Sequence, residues 1–210
     1  GLEVPLNESN FAIFGSAFWV GGVNQSEQLK ISFRRFCQSE TENCTENWGP
    51  LRLDNSTATN EDISQYNKVW FITSEQIALH IDYFDCLSDA SCDELVEFPD
   101  YQIPEDILSW PAEGEESFAE NLAPYADLNG NGTYNPEDGD HPAICVDFSS
   151  YTIWNDLGTE SMAQDGLEIG LEVHSSVYGY DAEAGADFNT LFVQYKIINR
   201  GEQFLNNTYL

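Results

Sequence analysis

Two stretches with alternating apolar residues decide the fold: LEIGLEV at residues 167–173 and LFVQYKI at residues 191–197. In each, every second side chain is apolar, and most of the residues between them are polar or glycine. Successive side chains of a β-strand point to opposite sides, so this period of two predicts strands with one buried and one solvated face. Such strands are typical of antiparallel sheets. The sequence therefore predicts a mainly β fold with a sandwich-like antiparallel sheet.

Shorter apolar segments extend this sheet. Residues 11–20, FAIFGSAFWV, predict a buried strand that ends at Gly21 and Gly22. Residues 28–36, QLKISFRRF, predict a second strand, which pairs with the first in a hairpin around residues 24–27. Further strands are predicted at residues 68–73, 151–154 and 204–210, the last as the return arm of a hairpin with residues 191–197.

The centre of the chain has the pattern of helices. Residues 74–84 carry apolar side chains at helical spacing, and Thr73 with Gln76 is typical of a capping box at a helix start. Short helices are also predicted at residues 104–110, which begin with proline, and at residues 115–122.

The length and the ends of the chain bear on its organisation. With 210 residues it is long enough to bury a substantial core as one large domain. We expect a single β-rich domain over residues 1–210, or a fragment of a longer chain, with a loop-rich insertion at about residues 74–145. Because the chain begins with Gly1 and ends within a predicted strand, we expect it to be a mature or excised segment of a secreted protein.

The charge balance restricts the partners. The chain has 37 Asp and Glu residues against 7 Lys and Arg, a formal net charge of −30, and no Lys or Arg lies between Lys68 and Lys196. Nucleic-acid affinity depends on basic groups that meet phosphates, so nucleic acid and anionic membranes are excluded as partners. No apolar run is long enough to insert into a bilayer. The acidity suits calcium-rich or salty water, although it could equally serve solubility alone.

The segment DLNGNGTYNPEDGD at residues 127–140 places oxygen-bearing side chains at alternate positions around a glycine. Calcium (Ca2+) prefers about six to eight oxygen ligands, and EF-hand loops supply them with this spacing. Pro136, Gly139 and Pro142 leave little room for a following helix, which indicates a free-standing loop rather than an EF-hand. A polar Asn-Gly turn without metal remains the alternative. The predicted ligands are Asp127, Asn129, Asn131, the carbonyl of Thr133, Asn135 and Asp138, with Glu137 and Asp140 as spare carboxylates.

The five cysteines contain two close pairs, Cys37 with Cys44 and Cys86 with Cys92. Neither pair has the CxxC spacing of a zinc site, so local disulfides and an oxidising compartment are the better interpretation. Cys145 remains without a predicted partner.

The sequence assigns no catalytic residue. It contains neither the G-x-S-x-G nucleophile elbow nor the H-E-x-x-H zinc motif, and its three histidines are scattered. Acidic residues are too frequent for a glycosidase pair to be recognised. The five Trp and ten Tyr residues could provide sugar-stacking surfaces, although core packing is their commoner use.

Several strings occur in an order that resembles a known group of proteins: WVGG at 19–22, GPL at 49–51, KVWFIT at 68–73, SWPA at 109–112, LAPYADLNGNGTYNPEDGDHP at 122–142, WNDLG at 154–158 and FVQYKIINR at 192–200. Together they look like the large extracellular proteins that gliding Gram-negative bacteria export through the type IX secretion system. The resemblance implies export to the cell surface and membership of a longer polypeptide, and it implies no enzyme activity. The sorting domain of that group is missing here, and the cysteine pairs match no family pattern.

These observations favour a non-enzymatic extracellular module, structural or adhesin-like, that calcium and disulfides stabilise within a larger surface or filament-forming protein. The expected partners are other domains or copies of the same secreted protein, with surface glycans as a further candidate. The alternatives are a carbohydrate-binding module of a secreted polysaccharide-degrading enzyme and a hydrolase with an acidic catalytic pair.

Overall fold

The computed structural model describes residues 2–3, 11–13, 18–33, 47–54, 63–115, 117–157, 169–181 and 190–210. The chain divides into two compact units. The first consists of Gly1–Asn67, Ile153–Val173 and Lys196–Leu210, and the second of Lys68–Thr152 and His174–Tyr195. The region expected to be an insertion, residues 74–145, lies within the second unit.

The described residues are mainly β, with antiparallel sheets and short helices, which confirms the predicted fold class. The strands are β1 (Leu2–Glu3), β2 (Phe11–Ile13), β3 (Trp19–Val23), β4 (Leu29–Phe33), β5 (Asn47–Trp48), β6 (Trp70–Thr73), β7 (Tyr125–Ala126), β8 (His141–Pro142), β9 (Phe148–Asn155), β10 (Leu171–Gly179), β11 (Phe192–Asn199) and β12 (Asn206–Tyr209). The α-helices are α1 (Ser74–Ser88), α2 (Glu94–Glu97) and α3 (Glu105–Leu108), and 3-10 helices span Ser64–Tyr66 and Pro136–Asp138.

Strands β3 and β4 form the predicted hairpin, in register from Trp19 opposite Phe33 to Val23 opposite Leu29. Asn24 closes its turn, because its side-chain oxygen accepts the N–H groups of both Ser26 and Gln28 at 2.9 Å. Asx turns of this kind explain why asparagine is frequent at such positions. The strand predicted to end at Gly21 and Gly22 continues through both glycines.

The largest sheet has the strand order β11-β10-β9-β5, and β6 pairs with β9. Strand β12 lies in another sheet, with the order β12-β3-β4. The prediction that β12 returns alongside β11 is therefore wrong. The turn after β11 explains the difference, because the N–H groups of Arg200 and Gly201 donate to the carbonyl of Gly170 at 2.9 and 3.1 Å. A side chain on Gly201 would lie 2.2 Å from the carbonyl oxygen of Ile169, so this close approach requires glycine.

The helix predicted at residues 74–84 is confirmed as α1, with the expected capping box. The side chain of Thr73 accepts the N–H of Gln76 at 3.2 Å, and the side chain of Gln76 accepts the N–H of Thr73 at 2.9 Å. Helix α3 confirms the prediction at residues 104–110 over a shorter span, with Pro104 as its N-cap.

The helix predicted at residues 115–122 is wrong for its described residues, 115 and 117–122. Backbone groups there form hydrogen bonds between two neighbouring segments instead of the i to i−4 bonds of a helix. The N–H of Gly114 donates to the carbonyl of Ala119 at 3.1 Å, and the N–H of Leu122 donates to that of Ala112 at 2.9 Å. These longer-range bonds satisfy the backbone groups that a helix would have used.

The core of the first unit contains Glu172, a residue that the alternation of β10 had assigned to a solvated face. Its side chain is fully buried, and this assignment is wrong. One carboxylate oxygen lies 2.9 Å from Nη2 of Arg200, and the other accepts the N–H of Leu51 at 2.8 Å. A buried charge needs such partners, and they explain why a glutamate can lie here. The apolar residues of this core are Val20, Trp154, Ile169, Leu171 and Val173, with Phe18, Ile197 and Leu205 against them.

The core of the second unit contains aromatic residues whose polar atoms form hydrogen bonds. The indole N–H of Trp70 donates to the carbonyl of Ser109 at 2.7 Å, and that of Trp110 donates to the carbonyl of Pro124 at 3.1 Å. The hydroxyl of Tyr151 lies 2.7 Å from Nδ1 of the buried His174. Within the described part of the chain, no helix has the length and apolar character needed to cross a bilayer.

The cysteine predictions have separate outcomes. Cys86 and Cys92 form the predicted disulfide, with their Cα atoms 5.3 Å apart. Cys37 and Cys44 lie outside the described residues. Cys145 is exposed and takes part in no disulfide of the described segments.

Candidate metal centre

The pairing of β7 with β8 brings together the two ends of the loop that the sequence singled out. Tyr125 lies opposite Pro142, and Ala126 lies opposite His141. The N–H of Ala143 also donates to the carbonyl of Pro124 at 3.1 Å. Residues 127–140 therefore form a closed loop on a short two-stranded base.

The first half of the loop winds around the carboxylate of Asp127. Its Oδ1 accepts the N–H of Gly130 at 2.7 Å and that of Asn131 at 3.2 Å, and its Oδ2 accepts the N–H of Gly132 at 2.8 Å. Gly130 and Gly132 have φ values of 70° and 80°, which lie in the left-handed region that favours glycine. The glycines thus allow the backbone to turn around one carboxylate.

The asparagines of the loop repeat this arrangement on a smaller scale. The side-chain oxygen of Asn129 accepts the N–H of Asn131 at 3.0 Å, and that of Asn131 accepts the N–H of Thr133 at 2.7 Å. The side-chain oxygen of Asn135 accepts the N–H of Glu137 at 3.2 Å. A carbonyl-type oxygen has two lone pairs, so each of these oxygens retains acceptor capacity after one such bond.

Asp138, the predicted closing ligand, lies at the end of a 3-10 helix formed by Pro136–Asp138. It is exposed, and its Oδ2 accepts the side-chain N–H of Asn135 at 2.7 Å. Nowhere in the described ranges do three or more His, Cys, Asp or Glu side chains come together as a potential metal site. The predicted ligand set includes only two carboxylates, and its other members are amide and backbone oxygens.

These donors fit a hard cation, since they are all oxygens and come from carboxylate, amide and carbonyl groups. Softer metals would prefer the nitrogen or sulfur ligands that this loop lacks. The chemistry of the loop is therefore compatible with Ca2+.

Asp140 has a larger structural role than the spare carboxylate that the sequence indicated. It is fully buried, and its Oδ1 and Oδ2 accept the N–H groups of Leu128 and Asn135, both at 2.9 Å. These bonds connect the beginning of the loop to its second half. No local signal in the sequence distinguishes Asp140 from the exposed Asp138, because its burial depends on the pairing of β7 with β8.

The loop is also fixed to the residues around it. Oε1 of Glu113 accepts the N–H of Tyr134 at 3.1 Å, and the hydroxyl of Tyr134 donates to the carbonyl of Ile107 at 2.6 Å. Burial raises the pKa of the Tyr134 hydroxyl, which therefore remains protonated and able to donate. Sequence reasoning missed Glu113, which lies 14 residues before the loop.

Helix α1 contacts the exit of the loop through His80 and Phe84. His80 is fully buried, and its Nδ1 lies 2.6 Å from the hydroxyl of Tyr101. Burial lowers the pKa of His80, and the backbone at Gly139 and Asp140 partly opposes that effect. Burial also raises the pKa of Tyr101 to about 12. A side chain on Gly139 would lie 3.2 Å from the ring of Phe84, so the helix packs closely against this turn.

A serine and a lysine lie together at α3, and their hydrogen bonds explain their role. Nζ of Lys68 donates to the hydroxyl of Ser109 at 2.8 Å and lies 2.9 Å from Asp106. The hydroxyl of Ser109 donates its proton to the carbonyl of Glu105 at 2.7 Å. These hydrogen bonds and the ion pair connect the residues around α3 to Lys68, which lies just before β6.

Comparison with known proteins identified no relative: no family model matches the chain, and no curated protein or solved structure matches it significantly. Its function is therefore inferred from the loop at residues 127–140 and from the chemistry of the residues around it.

Proposed function

We propose that this chain is a non-enzymatic extracellular module that Ca2+ stabilises, within a larger structural or adhesin-like protein of the cell surface. The winding of the 127–140 loop around the carboxylate of Asp127 carries the proposal. Three backbone N–H groups fix that carboxylate. Side-chain oxygens follow it at alternate positions, which is the pattern of a calcium-binding loop. A loop fixed in advance binds an ion with less loss of conformational freedom.

The residues that would hold the ion are Asp127, Asn129, Asn131, the backbone carbonyl of Thr133, Asn135 and Asp138. Bound Ca2+ would supply positive charge that offsets the repulsion between neighbouring carboxylates. In this proposal the loop has no catalytic role.

Two further features support an extracellular location. The disulfide between Cys86 and Cys92 requires an oxidising environment to persist. The acidic side chains that give the net charge of −30 repel one another less strongly where divalent cations are abundant, because the cations screen them. The resemblance to proteins exported by the type IX system extends the proposal to the surface of a Gram-negative bacterium. The partners would then be other domains or copies of the same secreted protein.

Calorimetric titration of the full chain with Ca2+ tests the proposal. We expect saturable binding with a Kd of about 10⁻⁴–10⁻³ M, as for extracellular calcium modules, and a rise in Tm with calcium concentration. Asp127→Ala should abolish the binding, whereas Glu137→Gln, which changes an exposed carboxylate in the same loop, should leave it nearly unchanged. Absence of both heat and a Tm shift at about ten times that Kd would exclude the calcium role.

Glycan binding is a second candidate because of one specific surface. Trp19 and Tyr209 are 62 % and 75 % exposed in a groove of about 670 Å³ on the sheet of β3, β4 and β12. Tyr209 lies opposite Gly21, which lines the groove together with the two aromatic residues. Exposed aromatic rings are common platforms for sugars. Affinity electrophoresis in soluble polysaccharides tests this, since Trp19→Ala should remove any retardation that the wild-type chain shows.

A further inference from the structure

The disulfide between Cys86 and Cys92 lies in a segment that combines exposed apolar side chains with acidic ones, residues 85–98, which we call the braced segment. It connects the end of α1 to α2. Leu95 and Val96 of α2 are 76 % and 68 % exposed, and Leu87 is also exposed. Apolar side chains that stay in water at this level gain stability when a partner covers them.

The braced segment holds these side chains in a fixed arrangement. Asp93 caps α2, because its carboxylate accepts the N–H of Leu95 at 3.2 Å. At the C-terminal end of the helix, the ring of Phe98 packs edge-on against Tyr83 of α1, with ring centroids 5.8 Å apart. Phe98, the C-cap residue of the helix, thus contacts α1, while Leu95 and Val96 stay exposed to solvent. A preorganised surface loses little conformational entropy on binding.

The charge around these side chains has a single sign. The braced segment carries five acidic residues, Asp85, Asp89, Asp93, Glu94 and Glu97, and contains no Lys or Arg. Hydrogen bonds from the N–H and hydroxyl of Ser91 to the carboxylate lower the pKa of Asp89. The sequence has no Lys or Arg between Lys68 and Lys196.

We propose that the braced segment is a docking surface for a cationic polypeptide whose Lys or Arg residues alternate with apolar ones. The apolar residues of that polypeptide would cover Leu95 and Val96, and its basic residues would pair with the surrounding carboxylates. The two surfaces would then be complementary in both hydrophobicity and charge. The same charge repels nucleic acid and anionic lipid. A second copy of this chain carries the same net charge of −30, so like charges oppose self-association at this surface.

A labelled synthetic peptide of alternating lysine and leucine is the probe, and fluorescence anisotropy with the full chain is the measurement. A lysine and serine peptide of equal charge measures attraction by charge alone. We expect the L95S/V96S double variant to bind the lysine-leucine peptide about tenfold to a hundredfold more weakly, with the lysine-serine peptide nearly unaffected. Because both side chains are exposed, the variant should keep the wild-type unfolding midpoint.

The double variant L53S/L157S is the matched control, since Leu53 and Leu157 are also exposed, at 55 % and 46 %, but belong to the other unit. It should bind both peptides as the wild type does. The E94Q/E97Q variant should bind both peptides more weakly and with less dependence on salt.

Three results would overturn the proposal. The first is that the wild type does not bind the lysine-leucine peptide, or that L95S/V96S binds it equally well. The second is equal weakening in L53S/L157S, which would indicate non-specific adhesion to any exposed leucine. The third is self-association of the wild-type chain in sedimentation that L95S/V96S removes, which would assign the surface to a second copy.

Discussion

Asp140 and Asn135 are joined by a hydrogen bond of 2.9 Å, from the backbone N–H of Asn135 to Oδ2 of the buried carboxylate. The other oxygen of Asp140 accepts the N–H of Leu128 at the same distance. One side chain thus connects two parts of the loop that lie seven residues apart. This carboxylate therefore helps to hold the loop closed, in addition to the pairing of β7 with β8.

Replacement of Asp140 should therefore destabilise the fold even without calcium. Asp140→Ala leaves two N–H groups without their charged acceptor, and we expect the free energy of unfolding to fall by about 2–4 kcal/mol. Urea denaturation in the presence of a chelator measures this. Glu137→Gln is the control, because that side chain is exposed and should change the stability by less than about 0.5 kcal/mol. Equal stability of the two variants would contradict the role given to Asp140.

The contrast between Asp127 and Asp140 illustrates how far the sequence specifies this site. The spacing of oxygen-bearing residues is local, so the winding around Asp127 could be expected from the pattern alone. The role of Asp140 depends on β7 and β8, two strands of two residues each that pair across the loop. Pairs as short as these have no periodicity to detect, and the burial of Asp140 could not be predicted for that reason.

Stability should also depend on the protonation of His80. Burial lowers its pKa in the folded state below the ordinary value of 6.5, so the unfolded chain binds the proton more tightly. The free energy of unfolding must then fall as the pH falls below about 6.5, until the pH reaches the lowered pKa. We therefore expect a lower free energy of unfolding at pH 5.5 than at pH 7.5. Urea denaturation at the two pH values measures it.

The pH dependence of stability sums over every titratable group of the protein, so the comparison needs a variant. His141, Tyr101 and Asp140 face His80, and burial raises the pKa of Asp156 in the other unit. Asp156 acts in the opposite sense, because the folded state holds its proton more tightly. His80→Gln should lower stability at both pH values and remove the part of the pH dependence that His80 contributes. An unchanged slope in His80→Gln would show that the histidine does not cause it.

The disulfide at the end of α1 provides a separate test of local stability. Cys86 and Cys92 close a small ring, with a sequence separation of 6, and such a ring stabilises by about 2 kcal/mol through the entropy of the unfolded chain. The variant C86S/C92S should therefore have a free energy of unfolding lower by about 2 kcal/mol, and it should unfold at a lower urea concentration. Cys145→Ser should have no such effect, since Cys145 is exposed. Mass spectrometry of non-reduced peptides should find Cys86 linked to Cys92. Peptides in which the two cysteines are not linked would contradict the assignment.

The strands show the same division between local and distant information as the loop. Alternation of apolar residues correctly predicted that β-strands lie at residues 171–173 and 192–197, within β10 and β11. The buried face that it predicted for residues 191–197 is wrong, because Leu191, Val193 and Tyr195 are exposed. Alternation failed for Glu172, which is buried because Arg200 and the N–H of Leu51 reach it from distant parts of the chain. It also failed for β12, whose pairing with β3 depends on a turn packed against Gly170. Period alone identifies strands, and only the tertiary structure identifies their neighbours and buried charges.

Glu172 and Arg200 should respond unequally to substitution. Glu172 is fully buried, whereas the side chain of Arg200 retains 22 % of its exposure. Arg200→Met would leave a buried carboxylate without its counter-charge, and we expect a loss of about 3–5 kcal/mol. Glu172→Gln leaves the guanidinium of Arg200 partly hydrated and keeps an oxygen that can accept the N–H of Leu51. We therefore expect its free energy of unfolding to fall by only about 1–2 kcal/mol, roughly the contribution of one charged hydrogen bond. The double variant E172Q/R200M should recover part of the loss in Arg200→Met. Urea denaturation of the three variants measures these differences, and additive losses would show that the two side chains are not coupled.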